Sequence, residues 1–433
     1  MMQDTEQTQM TPPAPEQLPE QPEGNKKSGP SFFAGFAIGL AAATAICIAV
    51  FLIWYRVAPG KVSGGSAVPA GAQGGEELLN PEAINKLNEL NEAIDAYYYK
   101  DSEVDIEARR NGMYDGLISS LGDPYAAYYT AEDRQAQLEQ LSGVYYGIGA
   151  YVTMHQDVRR VYISGVIPDS PAEAAAIREN DIIWAVDGTS TEGMETEDVV
   201  LLIRGPEGTK VTLTLLRDNE EIEITVTRGK VESPTVTHEM MEDGIGYLQI
   251  REFDDITTSQ FDKAMQELYA EGMRGLVLDL RSNPGGSLKA VVEICNLLLP
   301  EGEVVYTLDK YGNRESYTSD GTHEIQIPLV VLVNGNSASA SEILAGAIKD
   351  YEKGTLLGTT TYGKGIVQRI FDFDDDTGVK LTVSDYYTPK GNNIHGVGIE
   401  PDVVLEFDPD AYEKDETDNQ LEEAKTLVLD MIQ

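Results

Sequence analysis

The chain has 433 residues, more than one ordinary hydrophobic core organises, so we expect two or three domains. It carries 73 acidic against 32 basic residues, a net charge of −41, and a surface of that sign repels nucleic acid. Its two cysteines and four histidines are scattered without metal-ligand spacing, so we expect neither a disulfide framework nor a zinc site.

Three segments of simple composition come first in the chain. Residues 1–30 are rich in Gln, Pro, Glu and Thr and are predicted to be a disordered cytoplasmic tail. Residues 31–55 are almost wholly apolar and end in Trp54 and Tyr55, which favours a transmembrane helix. Residues 56–79 are rich in Gly, Ala, Ser and Pro and are predicted to be a flexible tether.

The apolar run leaves two questions open. It is longer than a signal-peptide core and no small-residue cleavage site closes it, but a cleaved signal stays the alternative. Lysines precede the run, and Arg56 and Lys61 follow it, so the flanking charge does not fix its orientation. A short tail inside and a large domain outside is the usual arrangement. It predicts a single-pass protein of the cell membrane.

Residues 80–142 are predicted to form a helical region. Apolar residues share one helix face from Ile84 to Tyr97, and a second helix covers about Ile106–Leu121. Residues 80–141 are the candidate region for forming a homo-oligomer.

The rest of the chain is predicted to form two domains of different class. In residues 143–230 short apolar runs alternate with turns, which indicates a β-rich domain, and one of its helices covers about Thr196–Ile203. In residues 231–408 strands and helices alternate, which is typical of an α/β layered domain. The acidic residues 409–433 are predicted to form a solvated C-terminal helix or tail.

A helix start preceded by small residues carries the first chemical signal. The apolar strand Leu329–Val333 leads into a loop that contains Ser337, Ser339 and Ser341, and then into a helix. Small residues let a ligand approach the backbone, and free N–H groups at a helix start can stabilise a developing oxyanion. The alternative interpretation of the three serines is that they are helix caps and small packing residues.

A lysine between two glycines carries the second signal. Lys364 lies in the segment Thr361–Gln368, after a short apolar strand. Burial disfavours the charged form of a lysine, and a neutral amine beside a serine can take its hydroxyl proton. An exposed lysine in a turn is the alternative interpretation.

Together the two segments resemble the carboxyl-terminal processing peptidases, a serine protease family with an appended PDZ domain. The matching motifs are Ser-Ala-Ser-Ala-Ser-Glu and Thr-x-Gly-Lys-Gly-x-x-Gln, and the lysine follows the middle serine by 25 residues. The resemblance implies that Ser339 is the nucleophile, that Lys364 is its base and that Gln368 supports the lysine.

The resemblance covers roughly residues 80–407 and extends to the fold. The loop Leu280–Gly286 also matches, which implies that Ala340 and one of Gly285 and Gly286 donate N–H groups to the oxyanion. The family core is an α/β spiral similar to the crotonase and Clp-protease cores. The expected fold class is therefore multidomain α+β, with a transmembrane helix, a helical region, a PDZ domain and this core.

The β-rich domain resembles a PDZ domain through Val161–Gly188, a strand, a capped helix and a strand that ends in Val-Asp-Gly. Such a domain binds an extended C-terminus by strand addition, and consecutive N–H groups hold the terminal carboxylate. The candidate carboxylate-binding residues are Gly147, Ile148, Gly149 and Ala150, for which a flexible turn is the alternative. Val199 and Leu202 are candidates for the far wall of the groove, with plain core packing equally open.

Arg204 follows the groove helix directly. In the family the position of the PDZ domain can gate the protease, so the resemblance makes Arg204 a candidate gate contact. A turn residue without a gating role is the alternative interpretation.

These features predict a membrane-anchored serine endopeptidase that acts through a Ser–Lys dyad and an acyl-enzyme. Its expected substrates are proteins with free, apolar C-termini, and its catalytic domain is expected on the extracytoplasmic side. We expect no cofactor, no metal and no nucleic-acid partner. Two alternatives stay open, namely a catalytically inactive membrane-tethered PDZ adaptor and a hydrolase that uses the same dyad on an ester or thioester.

Overall fold

The computed structural model describes residues 78–100, 105–155 and 158–432, which belong to one compact unit, residues 60–433. The predicted tail, the predicted transmembrane helix and nearly all of the predicted tether lie outside these ranges. Within them, no helix combines the length and the apolar composition that crossing a membrane requires.

The described residues form helices and strands that we number in chain order. The helices are α1 (Pro81–Tyr97), α2 (Ile106–Ser119), α3 (Ala131–Ser142), α4 (Pro171–Ala174), α5 (Thr196–Ile203), α6 (Thr257–Ala270), α7 (Leu288–Asn296), α8 (Ala340–Asp350), α9 (Pro409–Asp415) and α10 (Asn419–Ile432). The strands are β1 (Ala127–Tyr129), β2 (Val144–Gly147), β3 (Ala150–His155), β4 (Arg160–Val166), β5 (Ile182–Val186), β6 (Thr189–Ser190), β7 (Lys210–Arg217), β8 (Glu220–Thr227), β9 (Gly229–Glu232), β10 (Val236–Met240), β11 (Ile245–Ile250), β12 (Gly275–Asp279), β13 (Gly302–Asp309), β14 (Arg314–Ser319), β15 (Leu329–Val333), β16 (Thr355–Gly358), β17 (Ile366–Asp372), β18 (Gly378–Tyr387) and β19 (Val403–Val404).

The N-terminal helices differ in how they meet the rest of the molecule. None of the residues of α1 and α2 is buried, although both helices carry apolar side chains. Helix α3 starts at a capping box, in which Thr130 and Asp133 satisfy each other's backbone N–H groups. An ion pair of 2.5 Å between the buried Arg134 and Asp372 then ties α3 to strand β17.

The β-rich domain is an antiparallel sheet with the strand order β3-β4-β5-β7-β8, and β6 pairs with β5. Its core consists of alternate residues of these strands together with one face of α5, since in-pointing side chains recur every second residue of a strand. The ribbon β2–β9 brings the two ends of the domain together. This ribbon therefore forms the connection to the rest of the chain.

The α/β domain contains a six-stranded sheet with the order β10-β11-β12-β15-β16-β19, in which all neighbours except β10 and β11 are parallel. Strands β12 and β15 are buried along their whole length because α6, α7 and α8 cover one face and α10 covers the other. A second sheet has the order β1-β18-β13-β14, with β17 beside β18. The likeness to crotonase and Clp-protease cores stays a prediction.

The C-terminal segment corrects one expectation. Residues 409–433 were expected to form a solvated helix or tail, but α10 buries Gln420, Ala424 and Val428 against the sheet. The contact is close, because a Cβ atom added to Gly275 of β12 would lie 2.3 Å from Val428. The apolar residues of α10 recur at helical spacing and form one face that packs on the sheet, although the segment as a whole is acidic.

Candidate active site

Ser339 lies at the N-terminus of α8 in a strained backbone conformation. Its φ of 54° and ψ of −111° are rarely adopted by a residue with a side chain, and such a conformation costs about 1–3 kcal/mol. Two side chains help to hold it, since Ser339 N donates to Glu342 Oε2 at 2.8 Å and Tyr386 Oη donates to Ser339 O at 3.1 Å. The surrounding structure therefore fixes the turn that presents this serine.

The two neighbouring serines have structural contacts instead. Ser337 Oγ donates to Leu280 O at 2.8 Å, and Ser341 Oγ donates to Asn283 O at 3.0 Å. Both side chains are fully buried, whereas Ser339 lines a cavity. Of the three serines, Ser339 alone is placed to meet a substrate.

Two backbone N–H groups beside Ser339 have no acceptor among the described residues, and they belong to Gly286 and Ala340. Both residues line the same cavity as Ser339. The N–H of Gly285, in contrast, already donates to Asn283 Oδ1 at 2.8 Å. A Cβ atom on Gly285 would lie 2.9 Å from Ala340 N, so glycine is needed there for the close approach of the loop.

The glycines that flank Lys364 are also needed for a close backbone approach. A Cβ atom on Gly363 would lie 2.9 Å from Gly398 N, and one on Gly365 would lie 2.6 Å from His395 N. The loop around Gly396 therefore packs directly on the backbone beside Lys364.

Glu342 joins the serine turn to the lysine loop, and sequence analysis missed this role. Its carboxylate is fully buried and accepts hydrogen bonds from the backbone of Ser339, Gly363 and Lys364 and from Thr361 Oγ1, at 2.6 to 2.9 Å. The spacing Ser-x-x-Glu at a helix start indicates a capping box, which is the only part of this role that local sequence could signal.

Lys364 lines the same cavity as Ser339, but its amine has other partners. Lys364 Nζ donates to Gln368 Oε1 at 3.2 Å, and Gln368 Nε2 donates to Tyr125 O at 2.6 Å. No hydrogen bond joins Lys364 to Ser339 within the part of the chain that the structure describes. Burial lowers the pKa of Lys364 below its usual value, and the charge of Lys380 acts in the same direction.

The cavity that these residues share has a volume of about 500 Å³. Ser339, Ala340, Gly286, Lys364 and Gln368 line it. Its apolar wall includes Leu138, Leu141, Leu288, Ile343, Ile366 and Ile370. The cavity therefore combines a hydroxyl, an amine, two free N–H groups and an apolar surface.

A second cavity, of about 270 Å³, lies on the β-rich domain between the turn before β3 and helix α5. All four candidate carboxylate-binding residues line it, namely Gly147, Ile148, Gly149 and Ala150. The N–H groups of Ile148 and Gly149 have no acceptor among the described residues, so they are free to bind an anion.

The helix wall of this groove corrects a prediction. Val200 and Ile203 line the cavity, and neither Val199 nor Leu202 does. Val199 is fully buried in the domain core, and Leu202 packs against that core. The expected wall residues were wrong by one position along α5, which turns a side chain by about 100° around the helix axis.

Arg204 lies where the groove meets helix α3. It lines the groove cavity, its guanidinium lies 5.2 Å from the centre of the Tyr145 ring, and it pairs with Glu139 of α3 at 3.7 Å. Residues Leu138 and Leu141 of the same helix line the cavity that contains Ser339. One short helix thus contacts both sites.

Comparisons with known proteins match the chain in two regions. The profile of peptidase family S41 matches residues 244–405, and that of the PDZ domain matches residues 140–216. The chain is similar to a probable CtpA-like serine protease of Staphylococcus haemolyticus, with 37% identity over 327 residues, and to one of Staphylococcus saprophyticus, with 36% identity over 328 residues.

These alignments cover 75% of the chain but 65% and 66% of the two relatives, which is just under two thirds of their length. Among solved structures, a photosystem II D1 C-terminal processing protease is 32% identical, covers 76% of the chain and 94% of its own, and has a TM-score of 0.43.

Proposed function

Because the chain belongs to peptidase family S41 and carries a PDZ domain, we propose that it is a serine-type endopeptidase with Ser339 as its nucleophile. The observation that carries the proposal is the composition of one cavity. Ser339 and Lys364 line it together with the free N–H groups of Ala340 and Gly286.

In the proposed reaction, Ser339 Oγ attacks the carbonyl carbon of a peptide bond and its proton passes to the neutral amine of Lys364. The N–H groups of Ala340 and Gly286 stabilise the oxyanion. Lys364 then gives the proton to the leaving amine, which leaves an ester on Ser339. Water attacks this acyl-enzyme while Lys364 takes one of its protons. Lys364 returns that proton to Ser339 Oγ as the carboxylic acid leaves, and the acid loses its remaining proton to solvent.

Proton transfer in this scheme requires Lys364 Nζ to come within hydrogen-bonding distance of Ser339 Oγ. The amine now donates to Gln368, so a rotation of the lysine side chain is part of the proposal. Burial supports the role of base, because it lowers the pKa of Lys364 and so increases the neutral fraction near neutral pH.

Digestion of casein by the full-length chain tests the catalytic assignment. Ser339→Ala and Lys364→Arg should each lower the rate at least about a thousandfold, since guanidinium cannot deprotonate and alanine cannot attack. The exposed Ser316→Ala is the matched control and should keep the wild-type rate. Undiminished digestion by folded Ser339→Ala would contradict the assignment.

We further propose that the PDZ groove binds the apolar C-termini of protein substrates. The free N–H groups of Ile148 and Gly149 suit a terminal carboxylate, and Val200 and Ile203 suit an apolar side chain. Arg204 is proposed to transmit the state of the groove to the catalytic cavity through α3, because its partner Glu139 lies on that helix.

Self-association through the helical region, residues 80–141, is also part of the proposal. Five large apolar side chains of α1 are exposed, namely Ile84, Leu87, Leu90, Ile94 and Tyr97. An apolar helix face of this size is usually covered by a partner, and a second copy of the chain is the partner that we propose.

Membrane attachment rests on the sequence. The apolar run of residues 31–55 is proposed to anchor the protein as a single span, with the catalytic domain on the extracytoplasmic side. Protease shaving of intact cells tests this arrangement, because a catalytic domain that escapes shaving would contradict it.

The inactive adaptor stays the second candidate, and one observation favours it. Lys364 and Ser339 share no hydrogen bond, so the dyad is not assembled in this conformation. An adaptor should bind a peptide with an apolar C-terminus and leave casein intact, whereas the peptidase should cleave casein. An esterase should hydrolyse small esters and leave casein intact.

A further inference from the structure

Tyr125 lies between α2 and β1, far from Lys364 in sequence but in contact with its amine. Lys364 Nζ lies 4.6 Å from the centre of the Tyr125 ring. The carbonyl oxygen of Tyr125 also accepts the 2.6 Å hydrogen bond from Gln368, whose own side-chain oxygen accepts from Lys364. Tyr125 thus contacts the amine through its ring and supports it through Gln368.

The structure fixes this residue from several sides. Tyr125 N donates to Asp123 Oδ1 at 2.9 Å, and the other oxygen of Asp123 accepts from Thr382 Oγ1 at 2.7 Å. The Tyr125 hydroxyl shares a hydrogen bond with Tyr362, which raises the pKa of Tyr125. Strand β1, which follows at once, pairs with β18 of the catalytic domain. The ring is therefore held against Lys364 by the helical region and the catalytic domain together.

We propose that Tyr125 is a positioning residue for the catalytic lysine: its ring face holds the Lys364 amine and sets the pH at which that amine becomes neutral. This inference rests on the proposed function of Lys364 as the general base. The negative face of an aromatic ring attracts an ammonium group, and the attraction strengthens where water is excluded. Tyr125 therefore favours the charged amine in the position from which it must rotate toward Ser339.

The ring acts against some of the other influences on the amine and in the same direction as others. Burial and the positive charge of Lys380 on β18 favour the neutral amine, whereas the carboxylates of Asp123 and Glu342 favour the charged one. A substitution that removes the ring but keeps the amine buried should therefore lower the pH at which the amine becomes neutral.

Replacing the ring with an aliphatic side chain gives the test. Tyr125→Leu keeps an apolar group against the amine but removes the attraction for its charge, so the acid limb of the kcat/KM profile should move down by about 0.5 to 1 pH unit. We also expect kcat to fall about tenfold, because the amine loses the ring that positions it. KM should stay within about twofold, because Tyr125 is not one of the described residues that line the catalytic cavity. The substrate is a quenched fluorogenic peptide that ends in Leu-Val with a free carboxylate.

Two further variants separate positioning from general damage. Tyr125→Phe keeps the ring and should restore the wild-type acid limb. Tyr128→Leu alters strand β1, which follows Tyr125, on the side that packs against Tyr114, so it tests loss of packing without loss of the ring at Lys364. An acid limb that stays at the wild-type pH in Tyr125→Leu, or that moves equally in Tyr128→Leu, would overturn the inference.

Titration of the amine itself gives a readout that does not need activity. The protein is labelled with ¹⁵N at its lysine side chains and titrated by NMR, and the Lys364 signal is identified as the one that is lost in Lys364→Arg. The midpoint of its titration should lie at a lower pH in Tyr125→Leu than in wild type. Ser339→Ala measured with the same peptide distinguishes the two failures. If Ser339→Ala remains active, the proposed function fails; if it is inactive while the amine titrates unchanged in Tyr125→Leu, only this inference fails.

Discussion

Glu342 is the residue on which the relative position of Ser339 and Lys364 depends. Its carboxylate accepts from the backbone of both residues, so one side chain fixes the distance between the serine turn and the lysine loop. Each carboxylate oxygen accepts from two donors, so an amide nitrogen in place of either oxygen would face two donors.

Glu342→Gln should therefore impair both folding and catalysis. The amide keeps the size of the side chain but turns an NH₂ group toward two donors, so we expect a loss of about 2–4 kcal/mol in the free energy of unfolding. We expect kcat to fall about 10- to 100-fold as the two loops separate. Urea unfolding and casein digestion measure the two effects, and the exposed Glu422→Gln is the matched control. A variant with wild-type stability and rate would show that the four hydrogen bonds are dispensable.

Asp254 gives a pH-dependent contribution to stability. Its carboxyl group is buried beside the connection to the PDZ domain, and burial, with the charges of Glu252 and Asp255, raises its pKa to about 7. In the unfolded chain the group titrates near 3.9. Between these values the folded state binds a proton that the unfolded state has lost, so stability falls as the pH rises from about 4 to about 7.

Asp254→Asn should remove this dependence. At pH 8 we expect the variant to be more stable than wild type by about 1–3 kcal/mol, since each pKa unit corresponds to about 1.4 kcal/mol and the loop relaxes in part. At pH 4 the two proteins should unfold at the same urea concentration. The exposed Asp374→Asn should show no such pH-dependent gain. An equal difference between variant and wild type at both pH values would contradict the interpretation.

Sequence indicated three residues that line one cavity, but the contacts between them depend on tertiary structure. Ser339, Lys364 and Gln368 were predicted because a motif and its spacing specify them within two short segments. Gly286 is preferred to Gly285 as the proposed N–H donor because the Gly285 N–H already donates to Asn283 Oδ1. No local sequence pattern reveals this hydrogen bond. The support of Gln368 by Tyr125 joins residues 243 positions apart, so it lay beyond any local pattern.

At the scale of elements, the fully buried strand β15 was predicted best. It begins and ends where its apolar run Leu329–Val333 does, because a strand buried on both faces has a continuous apolar sequence. Sequence analysis assigned no strands to β14, β17 and β18. These strands are largely half-buried or exposed and mix polar with apolar residues, so their pattern is weak.

Helix α10 tests whether the C-terminal segment is part of the core. Val428 is fully buried in the contact with the sheet, so Val428→Ala should lower the free energy of unfolding by about 1–3 kcal/mol. The exposed Asp430→Ala on the same helix should change it by less than about 0.5 kcal/mol. Urea unfolding measures both variants. Equal stability of Val428→Ala and wild type would restore the expectation of a solvated helix.

At the scale of the whole molecule, helix α3 is the element that contacts both cavities. It reaches the groove through Glu139 and the catalytic cavity through Leu138 and Leu141. Its end is also fixed near the loop Leu280–Gly286, because Leu141 O accepts from Asp255 N at 2.9 Å and the nearby Phe253 N donates to Gly285 O at 2.9 Å. A displacement of α3 at the groove would therefore change the wall of the catalytic cavity, which gives the proposed gating a physical route.

Arg204→Ala tests this route. A peptide that ends in Leu-Val should stimulate cleavage of a fluorogenic substrate with an amidated C-terminus, because it fills the groove and leaves the catalytic cavity free. We expect stimulation of about fivefold or more in wild type and little in Arg204→Ala, since a coupling of 1–3 kcal/mol corresponds to about 5- to 150-fold. The amidated form of the same peptide should not stimulate, and the exposed Arg178→Ala should respond as wild type does. If Arg204→Ala binds the peptide and is stimulated as strongly as wild type, the groove acts on the cavity through other contacts, or only by holding the substrate nearby.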